Sequence, residues 1–315
     1  MREYGRQYVL QIGEDGDALI INNLRINFSF SHTHDKTANT GTIKVYNLSR
    51  DTINQIQTGK ADRYHQVTLS VGYGDLNDVR TLFTGQLSNA VVNKGGSATQ
   101  TSTPATGQTT KAGASTSGAE VDSILELTCD DGGVASRNAM MNTSFAAGSS
   151  HAELVKACAS TMTGVIPGLV GIASNLVLTR GRVCYGMTRH ILTQIASHHD
   201  ADWSIQHGYL MIMASDYVRP ESAVVLSQQT GMIGAPKKSG DKVTVTCLLR
   251  PEILIHSKVR IDSINDSFDG EYKVVDIKSE GDTHANSWKS TLELKLPESG
   301  AFKSATKANS AGGKA

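Results

Sequence analysis

Residues 24–36 read LRINFSFSHTHDK. Leu24, Ile26, Phe28 and Phe30 fall on alternate positions, with Arg25, Asn27 and Ser29 between them. A period of two sends alternate side chains to opposite faces of a sheet, so the stretch is a strand with one apolar face. The same alternation recurs through the first third of the chain. TIKVYNL places Ile43 and Val45 on one face, and QVTLSVGYG does so with Val67, Leu69, Val71 and Tyr73. RTLFTGQLSNAVV and SILELTC supply two more strands. One short helix interrupts them: Ser49 is its cap, Leu48 and Ile53 stand as a hydrophobic staple, and Gly59 is the expected stop.

The C-terminal third returns to this pattern in DKVTVTCLL, SKVRIDS, EYKVVDIKS and SWKSTLELKL. In the last of these, Trp288, Ser290, Leu292, Leu294 and Leu296 share a face. Asp269-Gly270 and Gly281-Asp282 mark turns. VTCLLRPEILIHSKVRI is expected to form two strands bent at Arg250-Pro251, with Cys247 in a core and His256 as a polar residue at a strand end.

The middle differs. SHAELVKACAS opens with a capping box, Ser150 and Glu153, ahead of Leu154, Val155 and Cys158. TRHILTQIASHHDADW spaces Ile191, Leu192, Ile195, Ala196 and His199 as a helix does, with Thr188 as the expected cap. Residues 136–200 thus read as mainly helix and loop, and WSIQHGYLMIM as a hairpin turning at His207-Gly208. The fold class that follows is mainly β with a small α/β middle region: two β units, each a small barrel or sandwich, flanking a helical segment. The expected boundaries are 1–135, 136–214 and 215–297. An insertion at about 94–120 and a tail at 298–315 are Gly-, Ser-, Thr- and Ala-rich, too polar to bury a core, and read as mobile.

The 315 residues suggest about two domains, and 39% hydrophobic content permits a packed core. Formal net charge is +0, which argues against a polyanion binder over the whole chain while leaving local patches open. The opening MREYGRQYVLQIGEDGD has no apolar h-region, so no signal peptide is expected. No run approaches the roughly 20 apolar residues of a membrane-spanning helix. Cys129, Cys158, Cys184 and Cys247 form no CxxC and read as buried free thiols.

Chemistry-bearing residues concentrate in two places. SHHDADW carries His198, His199, Asp200 and Asp202, with His207 shortly after. Imidazole and carboxylate suit zinc or iron. Adjacent His198 and His199 diverge by about 100° on a helix, however, and a polar helix end is the plainer reading. SHTHDK offers His32 and His34 on one strand face and Asp35 in a turn, with ordinary turn chemistry as the plainer reading. There is no GxSxG elbow, HExxH motif or phosphate-binding loop. The expectation is no catalytic residue, no metal site and no cofactor.

IKVYNLSRDTINQI followed by LSVGYGDLNDVRTLFTGQLSNAVV resembles the N-terminal barrel of baseplate hub proteins of contractile-tailed bacteriophages. TGMIGAPKK, VTCLLRPEILIHSKVRIDS and GEYKVVDIKSEGDTHANSWKSTLEL are similar to their second barrel, and the matches span about two-thirds of the chain. The resemblance implies two tube-type barrels per subunit and a homotrimer on the baseplate axis. Such a hub joins the hexameric tail tube to the trimeric central spike and contacts other baseplate proteins. Its lumen passes the tape measure protein, a partner, and then DNA, which passes without specific binding. It implies no enzyme and no membrane anchor, and a virion protein assembled in the host cytoplasm. Two alternatives stand beside it. One is a metal-dependent hydrolase acting on cell wall through His198 or His199, Asp200 and Asp202. The other is a different tube-fold tail protein, a tube or terminator.

Overall fold

The computed structural model describes residues 5–13, 18–58, 66–74, 78–94, 123–173, 176–298 and 300–307. Gly59 and the insertion beyond Lys94 lie outside these. The N-terminal unit contains β1 (Arg6–Ile12), β2 (Leu19–Ile21), β3 (Ile26–Thr33), β4 (Asn39–Tyr46), α1 (Arg50–Thr58), β5 (Gln66–Tyr73), β6 (Arg80–Lys94) and β7 (Ser123–Asp131). The middle unit contains α2 (Gly133–Asn138), β8 (Met140–Phe145), α3 (His151–Ser160), β9 (Ile166–Gly171), β10 (Arg182–Met187), α4 (Thr188–His198), β11 (Ala201–Gln206) and β12 (Tyr209–Ala214). The C-terminal part adds β13 (Tyr217–Val218), β14 (Val224–Leu226), β15 (Met232–Ser239), β16 (Lys242–Leu248), β17 (Lys258–Ile261), β18 (Gly270–Asp282), β19 (Trp288–Lys295), β20 (Lys303–Ser304) and β21 (Thr306–Lys307).

Thirteen strands of the two β units form one sheet, ordered β15-β16-β19-β18-β3-β4-β7-β6-β5-β1-β2, with β17 and β14 branching from β18. Its hinge is β18. Lys273 and the residues before it pair with β17, whereas Asp276–Asp282 pair with β3. The register against β19 slips between Val274 and Asp276, a bulge that lets one strand serve both units. The sheet curls until β1 stands beside the far end of β18. There Arg6 Nη1 donates to the carbonyls of Asp282, at 2.8 Å, and Ala285.

Period two governs the packing. On β3, Ile26, Phe28, Phe30 and His32 are all buried, and so are Leu125, Leu127, Cys129 and Asp131 on β7. An aromatic row runs along this inner face. Trp288 meets Phe28 edge-on at 5.3 Å, Phe30 stacks on Phe83 at 4.5 Å, and His32 follows at 5.8 Å from Phe83. Two glycines make room for it. A Cβ on Gly41 would stand 2.2 Å from the Phe30 ring, and one on Gly281 2.2 Å from the Phe28 ring. A second core holds Leu154, Val155 and Cys158 of α3 against Leu192 and Ile195 of α4. A third holds Val245, Cys247, Val259, Leu292 and Leu294. All four cysteines are free and buried.

The caps show where local sequence decided structure. Ser49 caps α1 as expected, its Oγ accepting from Thr52 N at 3.2 Å. The Ser150–Glu153 box is complete, with bonds of 3.2 and 3.0 Å. Thr188 is instead the first residue of α4 after Met187, and its Oγ1 meets Thr161 Oγ1 at 2.8 Å.

Four expectations are corrected. Gly281-Asp282, expected as a turn, lies inside β18, where Gly281 pairs with Phe28 and Asp282 with Asn27. Residues 136–200 contain the strands β8, β9 and β10 as well as helices. In β9 a Cβ on Gly168 would lie 2.7 Å from Leu210 O, so the glycine admits the close parallel neighbour β12. Residues 249–257 are a connection between β16 and β17 with Leu249, Ile253 and Ile255 buried, so the second expected strand begins only at Lys258. Of the expected tail, β20 pairs with β13 and β21 with β9, and Ala305, 4% exposed, packs with Leu169, Met213 and Tyr217. Open edges on short strands took up this segment's backbone donors and acceptors. Residues 308–315 lie outside the described part.

Candidate functional site

The SHHDADW cluster does not stay together. His199 turns to His151, its Nε2 against His151 Nδ1, and the His198 ring lies 5.3 Å from that of His199. Asp200 is an exposed residue at φ 48°. Asp202 is on β11 and faces His34, with Oδ2 3.7 Å from Nε2. Asp35 accepts from Thr37 N at 2.8 Å, the turn chemistry expected of it. Among the described residues no group of three His, Cys, Asp or Glu is placed to hold a metal ion.

What the fold does assemble is a polar junction where the three units meet. The tip of the β11–β12 hairpin, His207-Gly208, turns through φ 53° and 78°. It docks on the N-terminal unit. Asp131 accepts from Gly208 N at 3.0 Å and from His207 N. Asn39 Nδ2 donates to Ile205 O and to Gln206 Oε1, both at 2.9 Å, and Gln206 Nε2 donates to Thr33 O at 2.6 Å. The C-terminal part closes the other side. Arg219 Nε donates to Ile255 O at 2.8 Å, and Arg219 N to His256 O at 2.9 Å. Lys273 Nζ donates to Ala214 O at 2.8 Å and Ser215 O at 3.2 Å. A cavity of about 10 Å³, the room of about one water molecule, lies among His32, Gln206, His207, Arg219 and Ile255.

Three imidazoles meet here, His32 and His256 buried and His207 half-buried with its Nδ1 shut off from solvent. His32 and His207 lie 5.4 Å apart, and His256 is 1% exposed at φ 67°. Burial lowers His32 to about 3, with His207 acting in the same direction. Burial, then Arg219, lowers His207 to about 4. Burial, then Lys273, His34 and Arg219, holds His256 well below the usual range. Burial raises the Asp131 carboxyl to about 7 against the pull of its hydrogen bonds. Burial lowers Lys273 to about 8, opposed by Asp202, Asp216 and Glu298. These groups hold the units together through the hydrogen bonds named above.

The sequence reading singled out His32, His34 and His207 as chemistry and missed Asn39, Asp131, Gln206, Arg219 and Lys273. Asp131 carried a signal, since alternation from Leu125 through Cys129 puts it on the inner face.

The family model of the baseplate hub gp41 matches residues 7–293. The chain belongs to this baseplate hub family. It is therefore a structural component of the bacteriophage tail baseplate. The fold is shared with solved tail proteins at low identity. A 43 kDa tail protein of prophage MuSo2 from Shewanella oneidensis aligns at 10% identity and TM-score 0.58, over 94% of this chain and 100% of that one. A tail protein from Neisseria meningitidis MC58 gives 10%, 0.63, 95% and 100%. The E. coli c3393 protein, a type VI secretion component described as similar to phage tail proteins, gives 10%, 0.54, 93% and 78%. No curated protein matches the sequence. Among the described residues no helix is long and apolar enough to cross a membrane.

Proposed function

We propose that this baseplate hub is a homotrimer joining the tail tube to the central spike, with a lumen that passes tape measure protein and DNA. Family membership over residues 7–293 carries the reading. The fold supports it through two successive β units in one sheet, since three chains with two tube-type barrels each would match a hexameric tube. The barrels would correspond to 1–135 and 215–297, with 136–214 as an added middle domain. Both ends of the sheet discourage open-ended growth. β2 is three residues long, and β15 is interrupted by a bulge containing Pro236 and followed by Lys237 and Lys238. Such edges suit a closed ring better than a filament. The hub acts without catalysis or cofactor on this reading, and the hydrolase alternative loses its ligand set because Asp202 faces His34 rather than His198 or His199.

Sedimentation with negative-stain imaging of the purified chain tests this. A three-subunit ring with a central channel is expected, and a stable monomer at micromolar concentration would sink the reading.

A further inference from the structure

The three-unit junction buries more basic groups than its surroundings can charge. His32 comes from β3, His207 from the β11–β12 turn and His256 from the 249–257 connection, while Arg219 and Lys273 close in from the C-terminal part. His32 Nε2, His207 Nδ1 and both ring nitrogens of His256 are buried without a hydrogen-bond partner among the described residues. Among those residues no carboxylate lines the cavity. We propose that this junction is an acid-sensitive joint: protonation of His207, His32 and His256 beside Arg219 and Lys273 loosens the middle unit from the two β units.

The nearby carboxylates do not supply the missing counter-charge. Asp131 is committed to the backbone N–H groups of His207 and Gly208, and it becomes neutral over the same acid range. Asp276 is taken by Lys242, at 3.2 Å, and by His34, which also faces Asp202. Asp216, in the turn between β12 and β13, and Glu298, after β19, act on Lys273 together with Asp202, and Glu221 acts on Arg219, so these carboxylates are already matched to cations. A new proton on His32, on His256 or at the buried Nδ1 of His207 therefore meets cations and mostly apolar walls, and a buried unpaired charge is relieved by opening the site to water. Two of the rings stand at positive φ, so the backbone conformation there persists only while the surrounding contacts hold it.

Hydrogen exchange on the full chain at pH 7.5 and 5.0, corrected for intrinsic rates, tests the joint. Protection at 203–214 and 251–257 is expected to fall at least tenfold at pH 5.0, while β4 and β7 keep theirs. Equal protection at both pH values overturns the proposal. In His207→Asn/His256→Asn, which removes two titrating rings with a residue that tolerates positive φ, the acid response should shrink by more than half. A folded double variant with the full response overturns it too. Should that variant not fold, imidazole ¹⁵N spectra of the wild-type chain decide. Buried rings that stay neutral until junction protection is lost support the joint. Rings that titrate between pH 6 and 7 with protection intact refute it.

Discussion

Asp131 is where sequence periodicity and domain docking meet. It occupies an inward position on β7, where an apolar residue would be the default, and uses it to accept from two backbone N–H groups at the tip of the β11–β12 hairpin. Asp131→Ala leaves both donors without this partner. An unsatisfied buried donor costs roughly 1–3 kcal/mol, so a loss of about 2–3 kcal/mol is expected in urea unfolding at pH 7. A loss below about 0.5 kcal/mol would show that the tip re-docks without the carboxylate. His32 was legible in the same way, as the inward continuation of Ile26, Phe28 and Phe30. Its partner His207 was legible as a turn residue. That the two rings meet was not legible, because the contact joins positions 175 residues apart and depends on how two units dock. Arg219 and Lys273 gave no pattern at all: each is fixed by carbonyls of other segments, which local periodicity does not encode.

At the scale of elements, alternation was the reliable guide. β3, β4, β5, β7, β16 and β19 lie where their patterns put them, because each has one apolar face over a core. The pattern weakened where both faces are covered. β18 buries Tyr272, Lys273, Val274 and Val275 in a row at its bulge, with the middle unit behind it, so its double pairing was hidden. Glycine marks a close approach in both β9 and β4. Gly41 pairs with Phe30 across the ladder, and the Phe30 ring lies over the space a Cβ would fill. Phe30 is fully buried and stacked on Phe83, so it has nowhere to move. Gly41→Ala should therefore destabilise, although alanine is the better strand former. Overpacking typically costs about 1–3 kcal/mol, read as a lower thermal midpoint. The double change Gly41→Ala/Phe30→Leu should recover part of that loss; if Gly41→Ala alone is neutral, the ring is not held as described.

For the whole molecule, the buried imidazoles fix the sign of the pH response. An ordinary imidazole titrates near 6.5, while His32 is lowered to about 3 and His207 to about 4. Each is neutral in the fold and charged in the unfolded chain below pH 6.5. Their contribution is thus present above pH 6.5 and is lost as the pH falls toward the folded values. At 1.36 kcal/mol per pKa unit, each costs ~2 kcal/mol by pH 5. His256, His151 and His199 are lowered too and act in the same direction. Asp131 opposes them. Its carboxyl, raised to about 7, is neutral in the fold and charged in the unfolded chain, so it gains ~2 kcal/mol over the same interval. Asp282, lowered to about 2 where hydrogen bonds from Arg25, His284 and Ala285 outweigh burial, stays ionised throughout and drops out. One opposing carboxyl cannot balance several imidazoles, so the urea midpoint should be lower at pH 5 than at pH 7 with an unchanged slope. In Asp131→Asn the opposing gain is removed, and the fall between pH 7 and 5 should steepen by about 2 kcal/mol. A midpoint that rises on acidification, or an Asp131→Asn profile no steeper than wild type, would mean that the carboxyl or the rings are not buried in the states assigned to them.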